Sequence, residues 1–328
     1  MPKTIVREKK GKSFIYLQNG RKITDTSEIH RIKSLVIPPA WEQVKIAADP
    51  KAKIQARGRD AAGRLQAIYH PEFRAQQEQL KFAKITEFAQ KLPLLRKQIE
   101  HDLRRKSLPK DKVVACVVKL IDEAYFRVGN ERYAKENNSY GITTMRSKHL
   151  EVKGVKVVFD FMGKSGKHHH KVIADRRLAN IIKQLDELPG QEIFTYIGDD
   201  GQTHGVSSRQ VNEYIKSYMG EDFSAKNFRT WGGTLIAIQA LAASELAETE
   251  KEKKKIITQC VKKVAKRLGN TPAIARGSYI DPYVFEMYTG GADFTTMKEA
   301  ISKMKPKKYM SAEEEYALKL LMKVGSRK

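Results

Sequence analysis

The chain has 328 residues, of which 41% are hydrophobic, and its 62 lysines and arginines exceed its 38 acidic residues by 24. This composition excludes a disordered chain and allows two domains with a substantial core. The basic residues are spread along the sequence, which predicts a broad positive surface for a polyanion, most simply nucleic acid. A generically basic soluble protein, such as a ribosomal factor, is the alternative explanation of the charge.

Two further features concern where the protein works. The two cysteines, Cys116 and Cys260, lie in apolar helical patterns, so we expect buried, reduced thiols and no disulfide. Residues 1–6 lack the apolar core of a signal peptide, and no run of about 18 apolar residues occurs. We therefore expect a soluble, cytoplasmic protein that does not enter a membrane.

The first elements in chain order indicate a small β-rich region. Residues 4–18 alternate apolar and polar side chains around Gly11, which predicts a β-hairpin. Ser27 leads into a short helix that ends near Leu35, and the sequence PPAW at 38–41 predicts an extended segment.

A second hairpin is predicted from residues 53–57 and 65–70. Its bend carries three arginines, Arg57, Arg59 and Arg64, and its second strand ends at Tyr69. Basic and aromatic groups of this kind can contact a DNA backbone and base edges. A solvated, charged hairpin is the alternative.

From Glu72 onwards the periodicity becomes helical, and we expect a domain boundary near residues 75–85. Pro93 is expected to break the first helix of this region. Further helices are predicted to start at Pro109 and to cover 176–188, 208–218, 224–247, 251–268 and 311–324, with strands over 150–152, 155–161 and 168–173. The predicted fold class is α+β, with a small, mostly β domain over 1–80 and a larger, mostly α domain with a small hairpin sheet over 81–328.

Several short motifs suggest other sites and are explained more simply. The sequence GKSG at 163–166 resembles a phosphate-binding loop, but Val158 replaces the first glycine of that motif. His168, His169 and His170 suggest a metal site, yet consecutive residues of a strand face opposite sides, so the three cannot meet at one ion. Asp199 and Asp200 lie between glycines and predict a turn. We expect no metal.

Tyr279 is the candidate nucleophile. Thr271 and Pro272 suit the cap and first turn of a helix, and residues 276–278 (RGS) are expected to loosen the chain before the tyrosine. A phenol on such a segment, beside basic groups, can be directed at a phosphorus atom.

Four other residues accompany Tyr279 in separated motifs. Arg127 lies in FRVGNERY (126–133), Lys164 in FDFMGK (159–164), Arg229 in KNFRTWG (226–232), and Asn270 nine residues before Tyr279. These motifs, in this order, resemble the type IB DNA topoisomerases of the poxvirus-like and bacterial branch. Residues 38–41, 55–64 (QARGRDAAGR) and 69–73 (YHPEF) extend the resemblance over about 35–285.

The resemblance implies a monomer that clamps round double-stranded DNA, nucleoid-associated in a bacterium, and relaxes positive and negative supercoils. Tyr279 would form a 3′-phosphotyrosyl bond, with Lys164 as general acid for the leaving 5′-oxygen. The implied activity needs neither ATP, cofactor nor metal. The residues expected to contact DNA are Arg57, Arg59, Arg64, Tyr69, Arg132, Tyr133, Lys135 and Lys226.

The two arginines and Asn270 would act on the phosphate oxygens. Arg127 and Arg229 would stabilise the charge that develops on the nonbridging oxygens, and Arg127 would help to deprotonate Tyr279 through water. Asn270 stands where relatives often carry histidine; its amide can donate a hydrogen bond but cannot transfer a proton.

Two alternatives remain at this point. A tyrosine recombinase shares the fold of the catalytic domain, but it usually has a histidine where Lys226 stands and a helical N-terminal domain. A non-catalytic DNA-binding protein would explain the charge but not the five motifs.

Overall fold

The computed structural model describes residues 4–11, 13–245, 247–291, 294, 296–305 and 307–325. It divides into two compact units, residues 1–81 and residues 82–328. The first unit is mostly sheet and the second mostly helix, which confirms the predicted α+β class.

The N-terminal unit is built on an antiparallel sheet. Its strands are β1 (Thr4–Lys10), β2 (Ser13–Gln18), β3 (Arg21–Lys22), β4 (Glu42–Ala47), β5 (Ile54–Arg59) and β6 (Leu65–Tyr69), in the order β3-β2-β1-β4-β5-β6. Helix α1 (Thr26–Ser34) follows β3, capped by the Asp25 carboxylate, which accepts from the N–H of Ser27 at 2.9 Å. Ile32 of α1 joins Ile5, Val44 and Ile46 in a buried core.

Both predicted hairpins are present in this unit. The first pairs Ile5 with Gln18, and the second pairs Arg59 with Leu65. The prediction of an extended segment over 38–41 is wrong. The N–H of Trp41 donates to the carbonyl of Pro38 at 3.1 Å, so these residues close a turn. The buried guanidinium of Arg7 donates to the same carbonyl at 3.1 Å and to that of Trp41, which holds the turn.

The C-terminal unit is mostly helical and contains two small antiparallel sheets among its described residues. Its helices are α2 (Pro71–Asp102, which starts before the unit), α3 (Lys110–Ala124), α4 (Glu131–Asn137), α5 (Arg176–Asp186), α6 (Ser208–Met219), α7 (Ala225–Ala242), α8 (Glu250–Leu268), α9 (Pro272–Tyr279), α10 (Pro282–Thr289), α11 (Met297–Ser302) and α12 (Ala312–Gly325). The sheets are β7 (Leu150–Lys153) with β8 (Lys156–Gly163) and β9 (Lys167–Ala174), and β10 (Thr195–Ile197) with β11 (Thr203–Gly205).

Helix α3 lies in the core of this unit. Residues 113–118 are all buried, because the helix is apolar on nearly every side and is surrounded by other elements. Asp199 and Asp200 lie in the turn between β10 and β11, as predicted.

Two predicted helix boundaries are wrong. Helix α2 runs through Pro93 without a break, because Phe88, Leu92 and Leu95 are buried on both sides of the proline and hold the two halves in one helix. Helix α7 ends at Ala242 and not at 247, although residue 246 lies outside the described part. Thr249 caps α8 by accepting from the N–H of Glu252 at 3.2 Å, so the chain must leave the helical path before it.

Candidate active site

Tyr279 is the last residue of α9. Thr271 caps this helix by accepting from the N–H of Ile274 at 3.3 Å, and Pro272 is its first residue. The predicted loosening over 276–278 is wrong, since these residues continue the helix. The phenol is therefore held at the end of a capped helix and not on a flexible segment.

Helix α7 contacts the end of α9 at Gly233. A Cβ atom at this position would lie 2.3 Å from the carbonyl oxygen of Tyr279, so only glycine permits the contact. One residue later, Thr234 accepts a hydrogen bond from the N–H of Asp281 at 3.1 Å. The nucleophile candidate is thus fixed against α7 by its backbone.

Arg229, also on α7, lies beside the ring of Tyr279. Its Cζ atom is 4.9 Å from the ring centroid, and the side chain is buried. Its two terminal nitrogens donate to the carbonyls of Tyr125 at 2.5 Å and Leu268 at 2.9 Å. These carbonyls lie at the C-terminal ends of α3 and α8, where the helix dipole favours a cation.

Arg127 and Asn270 form a second contact at the same place. Nη2 of Arg127 donates to the carbonyl of Gly269 at 3.2 Å and to Oδ1 of Asn270. Gly269 adopts a left-handed conformation (φ 63°) after α8, and the N–H of Asn270 then bonds to the carbonyl of Ala265. The helix end therefore sets the direction of the Asn270 amide.

Two buried donors in this cluster have no partner among the described residues. They are Nε of Arg229 and Nδ2 of Asn270. A buried N–H without an acceptor costs about 1–3 kcal/mol, so these donors are suited to a bound acceptor such as a phosphate oxygen.

The ionisation of Tyr279 is shifted by its neighbours. Burial raises the pKa of the phenol, but the positive charge of Arg229 and, further, those of Arg127 and Lys226 outweigh burial and hold that pKa below its usual value. Burial and the charge of Arg229 lower the pKa of Arg127 to about 10, so Arg127 remains a cation at neutral pH.

Lys164 lies at the exposed tip between β8 and β9. The tip turns at Ser165 (φ 62°) and Gly166 (φ 65°), both left-handed. Lys164 lines a small cavity together with Arg127 and Arg229. The structure thus brings Arg127 into contact with Asn270 and Arg229 into contact with Tyr279, and Lys164 lines a cavity with the two arginines.

The inner face of β9 adds two residues that the sequence analysis did not assign to this site. His169 and Lys171 are buried and line the same cavity. The His169 ring stacks on Phe161 at 5.1 Å and touches two glycines, Gly163 and Gly269, that precede Lys164 and Asn270. Burial, followed by the neighbouring cations, lowers the pKa of His169 to about 4, so its ring is neutral at pH 7.

The signal that could have identified these two residues was strand alternation. His168 and His170 point to the other face of β9, where both contact the carboxylate of Asp160 at 2.6 and 3.2 Å. The predicted division of the three histidines between two faces is confirmed. Within the described residues, no group of three or more histidine, cysteine, aspartate or glutamate side chains is arranged to hold a metal ion.

The residues expected to contact DNA are all exposed. Those in the N-terminal unit lie on the hairpin of β5 and β6, where Arg59 donates to the carbonyl of Gly63 at 2.7 Å and Arg64 pairs with Asp60 at 2.7 Å. In the C-terminal unit, α4 carries Arg132, Tyr133 and Lys135, and α7 carries Lys226.

The sequence matches two protein families. Residues 70–308 match the family described as "Eukaryotic DNA topoisomerase I, catalytic core", and residues 13–60 match "Bacterial DNA topoisomerase IB, N-terminal domain". The chain therefore belongs to the type IB DNA topoisomerases and is an isomerase of that class. This membership opposes both the recombinase and the non-catalytic alternatives.

Individual relatives are also described as DNA topoisomerases. The chain is 36% identical over 299 residues to "DNA topoisomerase 1B" of Acanthamoeba polyphaga mimivirus, covering 88% of this chain and 89% of the relative. It is 24% identical over 235 residues to "DNA topoisomerase 1B" of Vaccinia virus (strain Copenhagen), covering 70% and 71%. In the described part of the chain, no helix is both long and apolar enough to cross a membrane.

Proposed function

We propose that the enzyme relaxes positive and negative supercoils in double-stranded DNA by cutting and rejoining one strand. The phenol oxygen of Tyr279 attacks a phosphodiester after losing its proton to solvent. A bond forms between this oxygen and phosphorus, and the bond to the 5′-oxygen breaks. The enzyme is then joined to the 3′ end, and the freed strand rotates before the 5′-hydroxyl reverses the reaction.

The observation that carries this proposal is the contact between the Tyr279 ring and Arg229, at 4.9 Å from Cζ to the ring centroid. An ordinary phenol has a pKa near 10 and is a weak nucleophile at neutral pH. The charges around this ring lower its pKa, which favours the phenolate that attacks.

The transition state concentrates negative charge on the nonbridging oxygens. Arg127 and Arg229 supply permanent charge at that place, and both are held by helix-end carbonyls before the substrate arrives. Asn270 donates its unpartnered amide N–H to one of these oxygens. Binding of the phosphate would therefore satisfy donors that are otherwise buried without partners.

Lys164 acts as the general acid. The departing 5′-oxygen needs a proton, and Lys164, which lines a cavity with the two arginines, would supply it and be reprotonated from solvent at the exposed hairpin tip. The covalent ester conserves the energy of the broken bond, so rejoining requires no ATP. Since arginines stabilise the charge, the proposed mechanism requires no metal or cofactor.

We further propose that residues 1–80 form a DNA-clamping domain, residues 81–328 form the catalytic domain, and the enzyme acts as a monomer round the duplex. The contacts with DNA are assigned to Arg57, Arg59, Arg64, Tyr69, Arg132, Tyr133, Lys135 and Lys226. All are exposed, and six of the eight are cationic.

The test is to trap the covalent intermediate. The enzyme is incubated in EDTA with a supercoiled plasmid and with a duplex labelled on the scissile strand, and the duplex reaction is stopped with denaturant. The unsubstituted enzyme should relax the plasmid and remain attached to the 3′ end, whereas Tyr279→Phe should bind DNA but do neither. Relaxation by Tyr279→Phe would disprove the nucleophile, and a strict need for Mg²⁺ would disprove the metal-free mechanism.

A further inference from the structure

Lys171 is a buried lysine that the proposed mechanism does not use. It lies on the inner face of β9, and its Nζ atom donates to the carbonyls of Ala124 at 2.7 Å and Arg267 at 3.2 Å. Ala124 is the last residue of α3, and Arg267 is the penultimate residue of α8. One ammonium therefore joins the C-terminal ends of two helices that are far apart in sequence.

Arg229 joins the same two helix ends one residue further along. Its terminal nitrogens bond to the carbonyls of Tyr125 and Leu268, which directly follow the two carbonyls that Lys171 holds. The position of the Arg229 guanidinium thus depends on the separation of α3 and α8, whose ends Lys171 also joins. Gly269 and Asn270, which contact Arg127, come next along the chain after Leu268.

Burial and neighbouring cations oppose the charge of Lys171, whereas the two helix C-termini favour it. Burial first, and then the charges of the nearby arginines, lower the pKa of its ammonium to about 7. Its Nζ atom also lies over the ring of Phe126, 5.5 Å from the ring centroid. An uncharged apolar side chain could fill the space and keep the packing, but it could not hold the two carbonyls.

We propose that Lys171 is a positioning residue for the strand-cleavage site. By tying the ends of α3 and α8 together, it fixes the carbonyls that orient Arg229 and so directs the unpartnered Nε of Arg229 at the scissile phosphate. This inference rests on the proposed function, because it assigns Lys171 a role in the same transesterification.

The first experiment compares Lys171→Met with Lys156→Met, an exposed lysine at the opposite end of the same hairpin from Lys164. Single-turnover cleavage of a labelled duplex should slow about 100-fold for Lys171→Met, as expected when a reacting group is displaced by about 1 Å. The Lys156→Met control should cleave at the unsubstituted rate. DNA affinity, measured in the Tyr279→Phe background, should change little for either. An unchanged cleavage rate for Lys171→Met would overturn the proposal.

The second experiment separates positioning from general loss of structure. In an Arg229→Ala background, Lys171→Met should slow cleavage little further, because its effect passes through Arg229. If Lys171→Met slows cleavage by the same factor with and without Arg229, the residue acts independently and the proposal is wrong.

Two controls keep these outcomes interpretable. If thermal melting shows that Lys171→Met is unfolded at the assay temperature, Lys171→Gln enters the same cycle with Arg229→Ala. Its amide keeps N–H donors, but its side chain is one carbon shorter and cannot hold both carbonyls at their present separation, so it should slow cleavage when Arg229 is present and little when Arg229 is absent. An equal factor with and without Arg229 overturns the proposal. Covalent adduct from the unsubstituted enzyme is the reference. If the unsubstituted enzyme forms no covalent adduct, the proposed function is contradicted. If it forms the adduct and the Lys171 variant cleaves at the same rate, only the positioning role is contradicted.

Discussion

Tyr279 shows how individual side chains shift the ionisation of the candidate nucleophile. Its phenol is partly buried, which opposes ionisation, and it lies beside the cations of Arg229, Arg127 and Lys226, which favour it. Arg229 has the largest of these favourable effects, and its guanidinium is held in place by two carbonyls. The pH dependence of cleavage should therefore report the charge at position 229.

The Arg229→Gln substitution should raise the pKa of Tyr279. Because the phenolate then forms only at higher pH, the rising limb of the single-turnover cleavage profile should move to more alkaline pH. At a fixed pH below this limb, the rate should fall about tenfold for each pH unit that the limb moves, in addition to the lost stabilisation of the transition state. Lys226→Gln, which removes a weaker influence, should move the limb less. If the rising limb of the pH–rate profile keeps its position after Arg229→Gln, Arg229 does not control the ionisation of Tyr279.

The role of Lys164 as general acid can be tested by changing the leaving group of the scissile strand. Lys164→Ala should slow cleavage of an ordinary strand far more than cleavage of a strand with a 5′-thiolate leaving group, because a thiolate departs without a proton. Lys167→Ala, on the same hairpin, should affect both substrates equally. If Lys164→Ala slows both substrates by one factor, its role is not general acid catalysis.

At the scale of elements, the site is built where helices end. The C-terminal ends of α3 and α8 present carbonyls to Lys171, Arg229 and Arg127, so partial negative charges separate cations that would otherwise repel one another. Helix α9 begins shortly after α8 and is held against α7 at Gly233. Small changes at these ends should therefore alter the site more than changes in the helix interiors.

Gly233 and Gly277 give a matched test of this close contact. Alanine normally stabilises a helix relative to glycine by about 0.5–1 kcal/mol, and Gly277→Ala should do so because nothing lies within 4 Å of the added carbon. Gly233→Ala should instead destabilise by about 1–3 kcal/mol, since its Cβ would lie 2.3 Å from the carbonyl oxygen of Tyr279. Thermal melting should show changes of opposite sign, and Gly233→Ala should form less covalent adduct. A higher melting temperature for Gly233→Ala would contradict the contact.

Sequence periodicity predicts most elements because each buries one face. The two N-terminal hairpins, α3 and the β8–β9 hairpin follow directly from it. The continuation of α2 through Pro93 cannot be predicted from periodicity, because packing of Leu92 and Leu95 in the C-terminal core outweighs the local effect of proline. The helical form of 276–278 also escapes prediction, since Gly277 and Ser278 are weak helix formers that the contact with α7 holds in place.

The site shows a similar limit. Motifs select Arg127, Lys164, Arg229, Asn270 and Tyr279, but they do not reveal which atoms hold the arginines. Apart from Oδ1 of Asn270, those acceptors are the backbone carbonyls of Tyr125, Leu268 and Gly269. A sequence carries no signal for a carbonyl whose position depends on two helix ends meeting. His169 and Lys171 belong to this same framework.

At the scale of the whole molecule, the net charge of +24 governs the encounter with DNA. Each phosphate neutralised by a cation releases counterions, so affinity should fall steeply as salt rises. Arg57 on β5 is exposed and belongs to the proposed DNA surface of the N-terminal unit.

Removing one such contact should change the salt dependence measurably. Arg57→Gln should reduce the slope of log affinity against log salt by about 1, measured by fluorescence anisotropy in the Tyr279→Phe background. Arg209→Gln is the control, because Arg209 is exposed, pairs with Glu213 at 2.6 Å and lies outside the proposed surface. Equal slopes for Arg57→Gln and the unsubstituted protein would show that Arg57 does not contact a DNA phosphate.

The two cysteines have a practical consequence. Cys116 lies in α3 and Cys260 in α8, and burial raises the pKa of each thiol to about 12. Neither presents a thiolate at neutral pH while its helix is folded, so an alkylating reagent reacts only during an opening event. The rate of alkylation at each cysteine therefore measures how often α3 and α8, whose ends hold the arginines, open. The measurement requires no introduced label.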